Sequence, residues 1–272
     1  MANYINKPLP DGQRMWQIGV NKKGEKMQII YYQSYSKISV RFLDEHKYIA
    51  DTSYHNFLTG AVKNKYRPVY GEHGYMGEGK YSTLYNKNSR IAFEMWSGLH
   101  ERSGNFDGRH PAYADVSVDE NWYNFQNFHK WFDENYYEIE GEVMSLDKDI
   151  LYPGNRVYSP DKCIIIPLKI NDVFITGNQT EDSKKLPVGI SKRINPKSVT
   201  YRATVMSVND ENIRQIFQKV FKTIDEAMIY YIEHKIKMIN FIANKYKDKL
   251  PIEIYNAIIN YRDPEWEKYY KF

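Results

Sequence analysis

Cysteine is nearly absent from this chain. Its 272 residues include one, Cys163, which excludes an internal disulfide and any cysteine-built zinc cage, so no zinc is expected. The thiol sits in the apolar run Cys163–Ile166 and reads as a small core residue. Long apolar runs are also missing. None approaches the roughly 20 residues that span a bilayer, and the first residues lack the apolar centre of a secretory signal. The expectation is a soluble, cytoplasmic chain with no membrane partner. Strong net charge is lacking too, since +4 is too little by itself to imply a polyanion. What is abundant is tyrosine, at 25 residues. Each brings a ring to bury and a hydroxyl to hydrogen-bond.

Charge is unevenly spread. Between Pro111 and Glu140 seven acids, Asp115 to Glu140, face only Lys130, whereas Leu186 to Lys249 holds 12 Lys/Arg against 6 Asp/Glu. Such polarity suggests that the C-terminal third meets a polyanion. Length suggests about two domains, and local patterning divides the chain further. Residues 1–65 show short alternating runs (Met27–Tyr32, Ile38–Phe42, Tyr48–Ala50) with hairpin chemistry at Asn21–Gly24. A small β-barrel-like module is expected there, followed by a turn of helix, Tyr54–Gly60, closed by glycine.

Helical spacing marks Ala92–Glu101 and, more strongly, Asn121–Glu134, where Trp122, Phe125, Phe128 and Phe132 share one face behind an Asp119 cap. His129, flanked by rings, reads as a satisfied core residue. Further on, Leu146–Asn171 runs through Asp147-Lys148-Asp149, a Pro153-Gly154-Asn155 turn and an apolar stretch to Asn171. An early carboxylate and a late amide around a turn are oxygen ligands of the kind hard cations take. The plain alternative is an ordinary turn with two solvated acids.

This stretch resembles the HNH, or ββα-metal, nuclease finger of phage homing endonucleases. The aromatic run Trp122–Ile139 strengthens the likeness, because a similar helix precedes the finger in that group. The resemblance implies that residues 66–176 form a helical scaffold carrying a ββα core. Asp147 and Asn171 would then bind Mg2+ or Mn2+. Lys148 stands where the family has its general-base histidine. Phosphodiester hydrolysis needs a base for the attacking water and charge neutralisation on the phosphate. A lysine is cationic near neutral pH, so Lys148 would act as an electrostatic clamp. No histidine lies close to Asp147 in sequence; His100 and His110 are the two whose approach in space is left open.

The C-terminal third has three β-prone runs, Val188–Ile194, Thr200–Val208 and Ile213–Phe221, separated by Asn195-Pro-Lys-Ser198 and Asn209–Asn212. A long helix follows, with a Thr223/Glu226 capping box. Gly189, Tyr201-Arg202-Ala203 and Phe221–Ala227 resemble the plant ethylene-response-factor (apetala type) DNA-binding domain. That likeness covers residues 186–249. It implies a sheet lying in the DNA major groove, with strand arginines and an aromatic, here Tyr201, in contact. Lys192, Arg193, Arg202 and Arg214 are the candidate DNA-binding residues. Residues 177–185 read as a linker, and 250–272 as a short aromatic helix and tail.

The expected class is therefore α+β, with the three-stranded antiparallel sheet packed on its long helix. Two functional readings follow. One is a double-stranded DNA-binding protein of phage homing-endonuclease design, nicking DNA weakly with a divalent metal in the host cell of a phage or prophage. The other keeps DNA or a host protein as partner and treats the core as an inactive scaffold used in regulation or counter-defence.

Overall fold

Four short strands lead the chain, and alternation decides which way they face. The computed structural model describes residues 4–105, 108–174, 186–196, 198–208 and 214–272, the side chains of 105, 207, 208, 214 and 215 excepted. Strands β1 (Ile18–Val20), β2 (Lys26–Ser34), β3 (Lys37–Phe42) and β4 (Ile49–Thr52) pair antiparallel in that order. Gly24, at φ +80°, makes the first hairpin turn, and its N–H donates to the Asn21 carbonyl at 2.9 Å. Met27, Ile29, Ile38, Val40, Phe42 and Ala50 alternate inward. They pack with Tyr54 and Phe57 of α1 (Tyr54–Leu58), a single turn capped by Ser53. The expected barrel does not close. Both β1 and β4 remain edges, because one helical turn already covers the apolar face and four short strands cannot meet the tilt and stagger of a barrel.

The central region departs from its sequence pattern at one place. Helix α2 (Ser89–Arg102) forms as expected and buries Ala92, Trp96 and Leu99. The single helix expected from Asn121 onward is instead two pieces, a 3-10 turn at Glu120–Tyr123 and α3 (Phe125–Asn135). Between them Asn124 is extended, at φ −88° and ψ 118°, and its side chain caps Gln126 N–H at 3.0 Å. The cause is competition for carbonyls. That of Trp122 accepts from Trp96 Nε1 at 2.6 Å and His100 Nε2 at 3.0 Å, and that of Tyr123 accepts from Tyr75 N–H at 2.8 Å. Tertiary donors have taken the groups that a continuous helix would use.

Beyond α3, β5 (Ser117–Val118) pairs parallel with β7 (Val157–Tyr158). Strand β6 (Met144–Asp147) pairs antiparallel with β8 (Ile164–Pro167), and α4 (Leu168–Phe174) follows β8 without a break. The last sheet has the order β11-β10-β9, from β9 (Ile190–Asn195), β10 (Ser198–Val208) and β11 (Arg214–Phe221). Helix α5 (Ile224–Lys245) crosses one face of it behind the Thr223/Glu226 capping box. Gly189 (φ +81°) enters that sheet where a Cβ would lie 2.2 Å from the Tyr231 ring of α5, so glycine is required. Helix α6 (Ile252–Ile259) and the tail fold back, burying Ile258 and Trp266.

Two apolar clusters result. One belongs to the N-terminal sheet; the other runs unbroken from α2 and α3 through β6, β8 and α4 to α5 and Trp266. Polar ties reinforce the second. Glu142 accepts from Lys169 Nζ and from Tyr246 Oη, each at 2.8 Å, joining the approach to β6 with α4 and the end of α5. Among the described residues no helix is long and apolar enough to cross a membrane. The stretch read as a linker, 177–185, and the turn at 209–212 lie outside the described residues.

Candidate functional site

Asp147 ends β6 opposite Ile164, the first residue of β8. The turn that follows needs an acceptor for its free N–H groups, and the carboxylate supplies it. Oδ1 accepts from Asp149 N–H at 2.9 Å and Ile150 N–H at 2.8 Å. Of the two readings open to this stretch, the turn is present, but its first acid is buried, not solvated. Burial pushes the Asp147 carboxyl up to about 6, against the two N–H bonds that favour its charge.

Lys148 turns back into the same loop. Its Nζ donates to both Asp149 oxygens at 2.8 Å and to the Asn155 carbonyl at 2.9 Å. Asn155 closes the loop by donating from Nδ2 to the carbonyls of Lys148 and Val157, at 2.9 and 2.7 Å. A phosphate clamp would need these contacts broken.

Asn171, on α4, donates from Nδ2 to Ser145 Oγ at 2.7 Å. Ser145 and Asp147 are two apart on one strand and so share a face, which brings the helix amide to the side of β6 that carries the acid. For a magnesium or manganese ion the set offers the Asp147 carboxylate and the Asn171 amide oxygen. One Asp147 oxygen holds two N–H donors, Asp149 is paired with Lys148, and Asn171 brings one amide oxygen. Mg2+ is commonly held by one or two carboxylates, with waters and substrate oxygens completing its octahedron.

Of the two open histidines, His100 has its partner in the helical scaffold. His100 is buried and gives Nε2–H to the Trp122 carbonyl. Burial lowers it to about 4, so it is neutral and a donor at physiological pH. His110 rests edge-on against Tyr113 at 6.3 Å. His129 is fully buried, bonded through Nε2 to Ser89 Oγ at 3.0 Å and stacked on Tyr81 at 4.3 Å.

Register sorts the basic residues of the last sheet. Ala203 and Val205 are buried beneath α5, so the even-numbered residues of β10 face away from the helix. Arg202 therefore lies on the open face with Thr200 and Thr204, and cross-strand pairing adds Arg193 (opposite Thr200) and Gln218 (opposite Thr204). Arg202 Nη1 approaches Gln218 Oε1 at 3.5 Å, and Arg202 Nε has no hydrogen-bond partner. The backbone of Arg214, opposite Val208, belongs to the same alternation. Lys192 does not. It pairs with Tyr201 and lies on the helix side, correcting its expected place on the open face. Tyr201 is half-buried against the core on that same side, so the open face lacks the expected strand aromatic. Exposed Met206, Ile216 and Val220 give that face an apolar component instead.

Sequence reasoning missed one buried charge. Lys235 falls within the apolar stripe of α5, four residues after Tyr231 and four before Ile239, a spacing that was visible in the sequence. It is buried, and Nζ donates to the Val173 carbonyl near the end of α4. Burial lowers it to about 8.

No family model, curated protein or solved structure matches this chain.

Proposed function

We propose that this protein binds double-stranded DNA through the open face of the β9–β11 sheet, with the ββα unit serving as a scaffold. The observation that carries the reading is the register, which gathers Arg193, Arg202, Thr200, Thr204 and Gln218 on the face that α5 leaves uncovered. Arginine and glutamine read base edges in the major groove, hydroxyls meet phosphates, and apolar groups such as Met206 and Ile216 suit thymine methyls. The excess of 12 Lys/Arg over 6 Asp/Glu in Leu186–Lys249 supplies the sequence-independent attraction. The scaffold reading of the core rests on Lys148, whose three donors are all committed within its own loop.

The test is fluorescence anisotropy of the full chain with a labelled duplex of mixed sequence at low salt. Arg193→Ala and Arg202→Ala should each weaken binding about tenfold, with Tm unchanged. Lys192→Ala should have little effect on affinity. Absence of duplex binding by the unaltered protein at low salt would remove the reading.

A further inference from the structure

The turn Arg14–Gln17 is closed by Gln17 N–H to the Arg14 carbonyl at 3.1 Å, and its third residue, Trp16, has φ +65°. Trp16 N–H donates to the Ile29 carbonyl at 2.9 Å, and Ile29 N–H returns to the Gln17 carbonyl at 3.0 Å. Two residues thus oppose one. This is a β-bulge whose first residue is left-handed, a position that belongs to glycine because a Cβ is penalised there. A bulky residue in that region is a backbone outlier, and such strain gathers at functional positions.

Packing gives nothing back. Trp16 is 60% exposed and belongs to neither apolar cluster, whereas the other tryptophans, Trp96, Trp122, Trp131 and Trp266, are all buried. Beside it the sheet presents an outward row, Ile18–Gln28–Arg41–Ile49, set by the strand register. Residues 1–65 carry 10 Lys/Arg against 5 Asp/Glu.

We propose that Trp16 is the stacking anchor of a second nucleic-acid site, one for single-stranded DNA. An indole held out from a basic sheet suits a strand whose bases are already unstacked, since every base offers a π-face and the backbone needs cations. Arg41 on that row and Lys26, opposite Val20 on the same face, provide those cations, with Lys22 and Lys23 in the turn at the far end of β1. A purely apolar protein partner would be served by Ile18 and Ile49 without the basic excess. The site is separate from the β9–β11 face, and the two readings fail separately.

The experiment is anisotropy of fluorescein-labelled (dT)12 with the full chain at low salt, alongside tryptophan emission, to which Trp16 contributes the exposed indole. Saturable binding with quenching is expected. Trp16→Gly should lower affinity at least about tenfold while leaving Tm unchanged or higher. Trp16→Asn, which keeps a β-carbon and tolerates the left-handed region, should do the same, and Trp16→Tyr should retain most binding. Arg202→Ala should bind (dT)12 as the unaltered chain does, and Trp16→Gly should bind duplex unchanged. No binding of (dT)12 by the unaltered protein, equal affinity in Trp16→Gly, or a lowered Tm in both Trp16→Gly and Trp16→Asn would each overturn the proposal.

Discussion

Lys148 and Asp149 are consecutive in sequence and closed on one another, with Nζ 2.8 Å from each carboxylate oxygen. The third ammonium donor reaches Asn155 at 2.9 Å, so no N–H is left for a phosphate. Lys148→Ala is expected to destabilise the fold by about 1–3 kcal/mol, read by urea denaturation, because it strips the Asn155 carbonyl and Asp149 of their partner. Plasmid nicking with Mg2+ or Mn2+ should be equally absent for the unaltered chain and Asp147→Ala. Nicking that Asp147→Ala abolishes would return the ββα unit to catalysis.

His100 and Asp147 act on stability in opposite directions. Burial lowers His100 from 6.5 to about 4. As pH falls the unfolded imidazole takes its proton first, so stability is lost between pH 6.5 and 4. Burial raises Asp147 from 3.8 to about 6. As pH rises the unfolded carboxyl ionises first, so that group's contribution is lost between pH 3.8 and 6. Each amounts to about 3 kcal/mol when fully developed. Thermal melts of the unaltered protein should therefore show a shallow dependence from pH 4 to 6, tilted upward by His129, which burial also lowers. Asp147→Asn should expose the histidine slope, with Tm rising steeply over that interval.

Lys235 shares a cavity of about 20 Å³ with Tyr231, Tyr261, Asp263 and Glu265. Its depression from 10.5 to about 8 means that the unfolded chain holds this proton more tightly. Stability should therefore rise between pH 8 and 10. Above that, Tyr231 and Tyr261, which burial pushes upward, begin to oppose it. Lys235→Met should raise Tm at pH 7 and flatten the rise, even though the Val173 carbonyl loses its donor.

For duplex binding, the salt dependence separates neighbouring cations. If Arg193 neutralises a phosphate, Arg193→Ala should reduce the slope of log K against log salt by about 1. Lys192→Ala, one residue away on the helix side, should leave the slope unchanged.

Local rules were readable from the chain. The Thr223/Glu226 capping box and the Asn21–Gly24 hairpin each depend on residues a few positions apart, and each formed as its pattern implied. What escaped depends on distant partners. The break at Asn124 exists because Trp96 and His100, 26 and 22 residues upstream of Trp122, claim its carbonyl. Ser191, Lys192 and Arg193 are all polar, so alternation was silent about which faces the helix until β10 fixed the register. The burial of Asp147 likewise comes from elements packed around β6, not from its own tripeptide.

The division into two apolar clusters has a bearing on how the chain can be reused. The N-terminal sheet carries a complete interior of its own and could be moved as a cassette, with its tryptophan intact, by cutting beyond Val62. The β9–β11 sheet has no such independence. Tyr231, Ile232 and Ile239 of its helix belong to the same interior as Phe128 and Ile166. A gene fusion that borrowed residues 186–249 alone would strip that helix of its packing against α4 and α6. Recombination among related chains should accordingly exchange the first unit freely and inherit the remainder as one block.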